Sequence, residues 1–378
     1  MGEGGVIRYF ICLLLFFTHV ATCVNVYAQT NELESAHKVA QTFMKDNPAH
    51  RLGWDWGQGV FLYGLHRLAN VSKEKQPYIN YLKKYFQNKR SSHPEINYPD
   101  RCPPGLTALA LAQENKNFAF IDIAATVGNY IKTEDKNELG AIDHLGSHFY
   151  RHFYPDSIWV DSLMMYGIFS TRWSMLTNDK DLLDFSMNQP AIFADKLQDP
   201  ETGLFIHSWN TKEKKLVPES KTFWLRGNGW VGASLVETLD HSPKDHPKRN
   251  EIIQILNRLM DGMLQFRGED GLWESVINRK NYSYPETSGI SLIGYAMAKG
   301  ARLGYLPKNY LDIAKDVFHK LQYFIESKSS GTYLTYISKA TNPSSAWMYS
   351  VVPTDWNISY GVGAYLLFAS ELYKADNE

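Results

Sequence analysis

Apolar runs led by a small residue recur six times along the chain, each directly after a polar or aromatic cluster. Their first residues lie 46 to 72 residues apart, a spacing that suits one helical hairpin per repeat. If the runs are the inner helices of a closed ring, the polar clusters before them meet at one mouth. The runs begin at Gly59, Gly105, Ser162, Gly229, Gly289 and Gly361.

More polar segments with helical periodicity alternate with these runs, which is the pattern of an outer layer of amphipathic helices around a buried inner layer. The sequence therefore predicts an all-α (α/α)6 toroid, built as a single domain over residues 29–378. The outer helices are expected at Leu33 to Met44, Tyr78 to Gln87, Phe118 to Ile131, Leu182 to Leu197, Asn250 to Phe266 and Asn309 to Ile325.

A second recurrence places short strands in the loops of this toroid. Each of three outer segments is followed by a glycine with an aromatic residue two positions later: Gly203-Leu204-Phe205, Gly271-Leu272-Trp273 and Gly331-Thr332-Tyr333. Each is expected to form a turn that leads into a short extended segment, such as residues 204–209. Such repetition argues against two unrelated domains.

The first 28 residues have the features of an export signal. Arg8 precedes an apolar stretch from Tyr9 to Phe17, and Val26 and Ala28 offer small residues where a signal peptidase cleaves. That stretch is too short to span a bilayer. We expect cleavage near Ala28 and a mature protein that is periplasmic or secreted.

The amino-acid composition limits the kinds of molecule that the protein is expected to bind. The formal net charge of the 378 residues is -1, so nothing indicates binding to nucleic acid or to an anionic membrane. Aromatic residues make up 14% of the chain, which fits either stacking on sugar rings or the filling of gaps in a helical toroid. After processing Cys102 has no partner for a disulfide, and a packed thiol is favoured over a nucleophile.

The densest chemical cluster runs from Phe223 to Trp230 at a predicted helix start. Arg226 offers a planar fork for a carboxylate, Trp224 and Trp230 offer flat apolar faces, and Asn228 adds a carboxamide. Helix N-terminal amides also favour an anion. The cluster indicates an acidic sugar as ligand; the alternative is an arginine that caps a helix while the indoles pack.

Two aspartates precede apolar runs and form a candidate catalytic pair. Asp161 lies between apolar neighbours, so burial is expected to raise its pKa as a general acid requires. An ordinary N-cap role is the alternative. Asp100, in the segment Asn97-Tyr98-Pro99-Asp100, is the candidate second member.

Further candidates are weaker. His207 and Trp209 lie in a strand-like segment and could contact a sugar, although a structural histidine is equally compatible. Glu286 heads an apolar run and could hold hydroxyls or cap a helix. The spacing of His144, His148 and His152 would align three imidazoles on a helix, but Gly146 and Pro155 disfavour that helix and hence a metal site. Phosphate-binding loops, dinucleotide fingerprints and nucleophile elbows are absent from the sequence.

Taken in order along the chain, these clusters resemble glycoside hydrolase family 105, the unsaturated rhamnogalacturonyl hydrolases and their relatives. The resemblance is carried by Trp56-Gly57-Gln58-Gly59, Ile158-Trp159-Val160-Asp161, residues 203–209, residues 224–230 and Glu286-Thr287-Ser288. It implies an (α/α)6 barrel, with Asp161 at the acid/base position and Asp100 near a second acidic position. Gln58, His207, Trp209, Trp224, Arg226, Asn228, Trp230 and Glu286 would bind the substrate, and the resemblance implies neither metal nor cofactor.

The reaction that the resemblance implies is removal of a 4,5-unsaturated uronic acid from oligosaccharides that a polysaccharide lyase has made. The double bond is hydrated, and the resulting hemiketal opens and expels the neighbouring sugar. Overall similarity favours uronic acid linked to rhamnose in ulvan over the same linkage in pectic rhamnogalacturonan. A conventional inverting glycosidase that uses Asp100 and Asp161, a non-catalytic sugar-binding protein and a polysaccharide lyase are the rival interpretations.

Overall fold

The computed structural model describes residues 33–92, 94–115 and 120–378 of the chain. The predicted signal segment 1–28 and the expected cleavage near Ala28 lie outside these residues, as does the predicted start of an outer helix at Phe118. None of the described helices is long and apolar enough to cross a membrane.

Helices dominate the described residues. They are α1 (33–46), α2 (Trp56–Val71), α3 (Gln76–Ser92), α4 (Pro103–Asn115), α5 (Ile121–Thr133), α6 (Ile168–Thr177), α7 (Lys180–Leu197), α8 (Leu225–His241), α9 (Arg249–Gln265), α10 (Thr287–Arg302), α11 (Asn309–Leu321), α12 (Ala346–Val351) and α13 (Ser359–Asn377).

Six of these helices form a closed inner ring. In order around the ring, α2 packs on α4, α4 on α6, α6 on α8, α8 on α10, α10 on α13, and α13 returns to α2. The outer helices α3, α5, α7, α9 and α11 each pack on the inner helix that precedes them in the chain. Helix α1 completes the outer layer, since Phe43 contacts Phe61 of α2 with ring centroids 4.1 Å apart. The predicted (α/α)6 toroid is confirmed.

Small residues allow the inner helices to approach closely, as expected. A Cβ atom on Gly64 of α2 would lie 2.3 Å from the carbonyl oxygen of Gly363 in α13. One on Gly363 would lie 2.4 Å from the carbonyl oxygen of Val60. Real side chains do not tolerate such distances, so glycine at both positions is required where the ring closes.

The third inner segment departs from a regular helix. Residues Leu163–Gly167 form a π-helical turn that continues into α6. Such turns are rare inside α-helices and are frequent at functional sites. The sequence predicted only an apolar helix here, because periodicity over so few residues does not reveal the wider turn.

Short strands lie in the loops, as predicted. An antiparallel sheet has the order β1 (Ser157–Trp159), β2 (Ser208–Asn210) and β3 (Lys215–Val217). The other pairs are β4 (Ile325–Lys328) with β5 (Gly331–Leu334), and β6 (Ile337–Ser338) with β7 (Thr354–Asp355). Gly203 and Gly271 have φ values of +74° and +81°, the left-handed conformation that turns with glycine adopt.

A buried cluster of charges links the inner helices toward their C-terminal ends. Glu237 of α8 accepts hydrogen bonds from Tyr63 at 2.7 Å and from Lys299 at 2.5 Å, and also from Tyr295. Lys299 also lies 2.8 Å from Asp240. All these groups are paired, so hydrogen bonds and ion pairs join α2, α8 and α10 inside the ring.

Candidate active site

The N-terminal ends of the inner helices converge, as the sequence pattern predicted. Trp56 of α2 stacks on Tyr360 of α13 with centroids 4.4 Å apart, and it meets the edge of Trp230 of α8 at 6.2 Å. Arg226 of α8 lies 4.9 Å from the Tyr360 ring. Polar groups that are far apart in sequence therefore lie together at one end of the ring.

Asp161 lies two residues after the end of β1 and two residues before the π-helical turn. Its neighbour Val160 donates a backbone hydrogen bond to the His207 carbonyl at 3.0 Å, which joins the two segments. The Asp161 Oδ2 atom lies 3.1 Å from Nε2 of His207, and its side chain is 13% exposed. The carboxylate is thus held by a histidine and does not serve as the helix cap.

The expectation that burial raises the pKa of Asp161 is wrong in its net direction. Burial does act to raise that pKa, but the hydrogen bond and charge of His207, with help from His144 and Arg226, outweigh it and lower the pKa. Asp161 is therefore ionised at neutral pH. The sequence could not reveal this, because His207 lies 46 residues away in the chain.

Asp100 has the opposite electrostatic environment. It lies in a 3-10 turn, Pro99–Arg101, and its side chain is 19% exposed. Burial raises its pKa well above the ordinary value, and the negative charges of Asp161 and Asp55 raise it further, while Arg101 opposes them. The candidate pair thus combines a carboxyl of lowered pKa with one of raised pKa, which is the arrangement that acid and base catalysis needs.

His144, which the sequence suggested only as a doubtful metal ligand, belongs to this group. Its Nδ1 lies 2.9 Å from Ser162 Oγ, and its Nε2 lies 3.4 Å from Asp100 Oδ1. The ring stacks on Trp159 with centroids 4.2 Å apart. Burial lowers the pKa of His144 to about 4, so the imidazole is neutral at pH 7.

Tyr349 was not found from the sequence either. Its hydroxyl lies 2.8 Å from His207 Nδ1 and accepts a hydrogen bond from the Ser344 backbone N–H at 2.9 Å. Burial raises the pKa of the Tyr349 phenol, which therefore keeps its proton. The contact with Tyr349 orients the ring so that the Nε2–H of His207 donates to the Asp161 carboxylate. Trp224 stacks on the same imidazole at 4.3 Å.

Arg226 is buried and held by the segment after β6. Its guanidinium donates to the Ser338 carbonyl at 3.0 Å, to the Lys339 carbonyl at 3.0 Å and to Thr341 Oγ1 at 3.1 Å. It also lies 3.7 Å from the Glu286 carboxylate and 4.7 Å from the Trp224 ring. The terminal nitrogens of Arg226 therefore hydrogen-bond mainly with the protein itself, whereas the sequence suggested that they are free to bind a carboxylate.

Glu286 and Asn228 have structural partners as well. Glu286 caps α10 by accepting from Ser288 N at 3.2 Å and Gly289 N at 2.8 Å, so the capping alternative is the one observed. The Asn228 side chain accepts from Phe205 N at 2.7 Å and donates to Phe205 O at 2.9 Å. These contacts hold the segment that leads to His207 against α8.

The remaining predicted site residues are divided between two places. Gln58 lies in the first turn of α2, and its Oε1 is buried without a hydrogen-bond partner among the described residues. Trp230 is fully buried in the same end of the ring. Trp209 lies beside Lys196 of the outer helix α7, whose ammonium nitrogen is 5.8 Å from the centroid of the ring.

Two further sequence-based expectations concern cysteine and metal. Cys102 is buried and unpaired, and burial raises the pKa of its thiol well above the ordinary value, so it is a packed thiol. His148 caps the 3-10 turn Phe149–His152 and His152 ends it, so the two are not aligned with His144 on one helix. The described residues contain no cluster of three metal-ligating side chains.

The sequence matches the family model of Glycosyl Hydrolase Family 88 over residues 35–376. The chain belongs to this family, and it is a glycoside hydrolase. The resemblance to family 105 is confirmed at the level of the fold: a family 105 glycoside hydrolase of Clostridium acetobutylicum, 24% identical, superposes with a TM-score of 0.81 over 90% of this chain and 99% of that one.

Named relatives have related activities. The unsaturated rhamnogalacturonyl hydrolase YesR of Bacillus subtilis is 27% identical over 70% of this chain and 74% of its own length. An unsaturated 3S-rhamnoglycuronyl hydrolase of Formosa agariphila is 23% identical over 94% of this chain and 95% of its own. The unsaturated glucuronyl hydrolase of Bacillus sp. GL1 shares the fold, with a TM-score of 0.72 at 13% identity over 89% of this chain and 95% of that one.

Proposed function

We propose that the protein removes the 4,5-unsaturated uronic acid from the non-reducing end of lyase-generated oligosaccharides by hydrating the double bond. The observation that carries this proposal is the carboxyl pair Asp161 and Asp100, whose pKa values are shifted in opposite directions at one end of the ring. The activities named for the relatives support the same class of substrate.

The chemistry requires one proton and one water. The C4 carbon of the enol ether takes a proton, and the positive charge that develops at C5 is stabilised by the ring oxygen. Water adds to C5 and loses a proton to a carboxylate. The hemiketal then opens, and the C1 carbon releases the neighbouring sugar as an alcohol. Hydration saturates the bond, so the net reaction consumes water and needs no cofactor.

Asp161 and Asp100 share the proton that this sequence needs. In the free protein the proton resides on Asp100, because the pKa of Asp100 is raised and that of Asp161 is lowered. The carboxylate of a bound uronic acid adds a negative charge, which raises the pKa of nearby carboxyl groups. Asp161 then takes the proton from Asp100, delivers it to C4 and, once ionised, accepts a proton from the attacking water; that proton returns to Asp100 when the product leaves.

Side chains around the carboxyl pair position and bind the sugar ring. His207 is fixed by Tyr349 and Trp224, and its two ring nitrogens contact Tyr349 and Asp161, so its part is to orient the Asp161 carboxylate toward the sugar. Gln58 Oε1, which has no partner among the described residues, is available to accept from a sugar hydroxyl. Arg226 supplies positive charge beside the site, although its hydrogen bonds are with the protein.

We further propose that the substrate is a uronic acid linked to rhamnose, with ulvan favoured over pectic rhamnogalacturonan, and that the protein is exported. The rhamnoglycuronyl hydrolase named among the relatives, the aromatic content and the leader-like segment at Arg8 support this choice. Periplasmic or secreted placement would give the enzyme access to lyase products.

The test is to mix the protein with lyase-digested ulvan and with lyase-digested pectin and to follow the ultraviolet absorbance of the unsaturated uronic acid. Loss of absorbance, faster with ulvan, is expected, and in heavy water the product should carry deuterium at C4. A conventional inverting glycosidase would instead release the terminal uronic acid from oligosaccharides whose 4,5 double bond has been chemically saturated. A rise in absorbance on intact polymer would indicate a lyase.

A further inference from the structure

A short segment beside the site exposes four large aromatic side chains within six residues. Phe149 is 65% exposed, Tyr150 56%, Phe153 68% and Tyr154 38%. We call these four residues the aromatic rim. Soluble proteins rarely expose so much aromatic surface in one place unless it binds something.

Ring contacts connect both ends of the aromatic rim to the catalytic pair. At one end Tyr150 contacts His148 with centroids 4.8 Å apart, and His148 contacts Tyr98, two residues before Asp100, at 4.3 Å. At the other end Tyr154 meets the edge of Trp159 at 6.4 Å. His144 stacks on the same Trp159 indole, so the rim is continuous with the site.

The rim is also anchored on its outer side. The Tyr154 hydroxyl accepts a hydrogen bond from Asn342 at 2.8 Å, which joins it to the segment that leads to α12 and Tyr349. This contact holds one end of the rim in place, while the rings of Phe149 and Phe153, 5.3 Å apart, contact each other.

We propose that the aromatic rim binds the sugar rings that follow the cleaved bond, so that the enzyme prefers unsaturated tetrasaccharides to disaccharides. This inference rests on the proposed function. Aromatic faces pack against the C–H faces of sugar rings, and the tyrosine hydroxyls supply hydrogen bonds.

The position of the segment favours a saccharide over a second protein. Ring contacts lead from both ends of the rim to Tyr98 and Trp159 beside the carboxyl pair, so a sugar chain that leaves the site meets the rim first. Arg151 and His152 lie between the aromatic residues and are exposed, so polar groups alternate with the rings as sugar hydroxyls require.

The experiment compares KM for an unsaturated disaccharide and an unsaturated tetrasaccharide of the same repeat. The wild-type protein should have the lower KM for the tetrasaccharide, and Tyr150→Ala and Phe153→Ala should each reduce that advantage about 2- to 10-fold, the worth of one aromatic contact. The matched control is Tyr323→Ala, which removes an aromatic ring that is 80% exposed beside His319 of α11. It should leave the advantage unchanged.

Three results would overturn the proposal. The first is a KM that rises equally for both substrates in the rim variants, which would indicate a structural role. The second is a wild-type protein with no preference for length. The third is a dimer in sedimentation that the rim variants lose, which would identify a second copy as the occupant. Failure of the wild-type protein to consume either unsaturated substrate would instead reject the proposed function.

Discussion

The Oδ2 atom of Asp161 lies 3.1 Å from Nε2 of His207, and this contact lowers the pKa of Asp161 against the effect of burial. Without it, burial alone would raise the pKa of Asp161, as it does for Asp100. Trp224 and Tyr349 hold the imidazole in place from two other sides. The protonation of the site is therefore set by residues from four separate segments of the chain.

Replacement of Asp161 by asparagine should abolish activity while the fold persists. A positioned acid or base contributes about 10²–10⁴-fold to a rate, so Asp161→Asn should lose at least that much in kcat on the unsaturated oligosaccharide. Asp156→Asn, at an exposed carboxylate of the same region, should retain full activity. Activity above about one per cent of wild type in Asp161→Asn would contradict the catalytic assignment.

The pH dependence of kcat/KM should be bell-shaped, because the active form carries one proton on the pair. The pKa of Asp100 is raised, so activity should be lost as pH rises through that pKa. Asp100→Asn cannot ionise, so the variant should lose this alkaline limb as well as most of its rate, about 10²–10⁴-fold. The measurement is kcat/KM against pH for both proteins. An alkaline limb that is unchanged in the variant would assign it to another group.

His144→Phe should move the alkaline limb to lower pH. Phenylalanine can keep the stacking on Trp159 but offers no nitrogen to the proton of Asp100, whose acidic form is then less stable. His152→Phe, at an exposed histidine of the neighbouring turn, is the matched control and should leave the profile unchanged. A shift to higher pH would mean that His144 donates to an ionised Asp100 instead.

Arg226→Ala should destabilise the protein as well as weaken substrate binding. The change leaves Glu286 buried without its cation, and breaking a buried ion pair in this way costs about 3–5 kcal/mol. Thr341→Val removes a single hydrogen bond of the same guanidinium and should cost about 1 kcal/mol. Urea unfolding measures both. Unchanged stability of Arg226→Ala, with impaired binding alone, would show that the guanidinium is reserved for the ligand.

The buried charge cluster should make stability depend on pH and on Lys299. Burial acts against ionised Glu237, but Lys299, His241 and Arg67 outweigh it and hold the pKa of Glu237 well below its ordinary value. Its contribution is therefore present at neutral pH and is lost as the pH falls below about 4, the ordinary value for glutamate.

Lys299→Met should lower the free energy of unfolding by about 3–5 kcal/mol, because the buried carboxylate of Glu237 loses its ion pair with Lys299. The double variant Glu237→Gln/Lys299→Met should be more stable than Lys299→Met alone. Equal stability of the single and double variants, measured by urea unfolding at pH 7, would show that the two residues are not coupled.

The repeat pattern was sufficient to predict the architecture. Inner helices need small residues where they pack closely, and this requirement is visible in the local sequence. Near the start of the inner helices lie Gly59, Gly105, Gly229, Gly289 and Gly361. The leader at residues 1–28 stays a prediction.

The site was predicted as a list of residues but not as a set of contacts. Arg226 and Glu286 were both identified, yet their partners were not, because Ser338 and Lys339 lie more than 100 residues from Arg226. Tyr349 reaches His207 across 142 residues and carries no local signal. The π-helical turn after Asp161 was likewise invisible. The pKa values of the site depend on contacts between residues far apart in the chain, and hydrophobic periodicity does not predict such contacts.

Closure of the inner ring between α2 and α13 makes the site depend on two helices that are distant in sequence. Tyr360 of α13 stacks on Trp56 of α2 and lies beside Arg226, so this wall of the pocket exists only while the two helices are docked. A substitution that loosens this seam should therefore disturb the pocket even though it touches neither carboxyl of the pair.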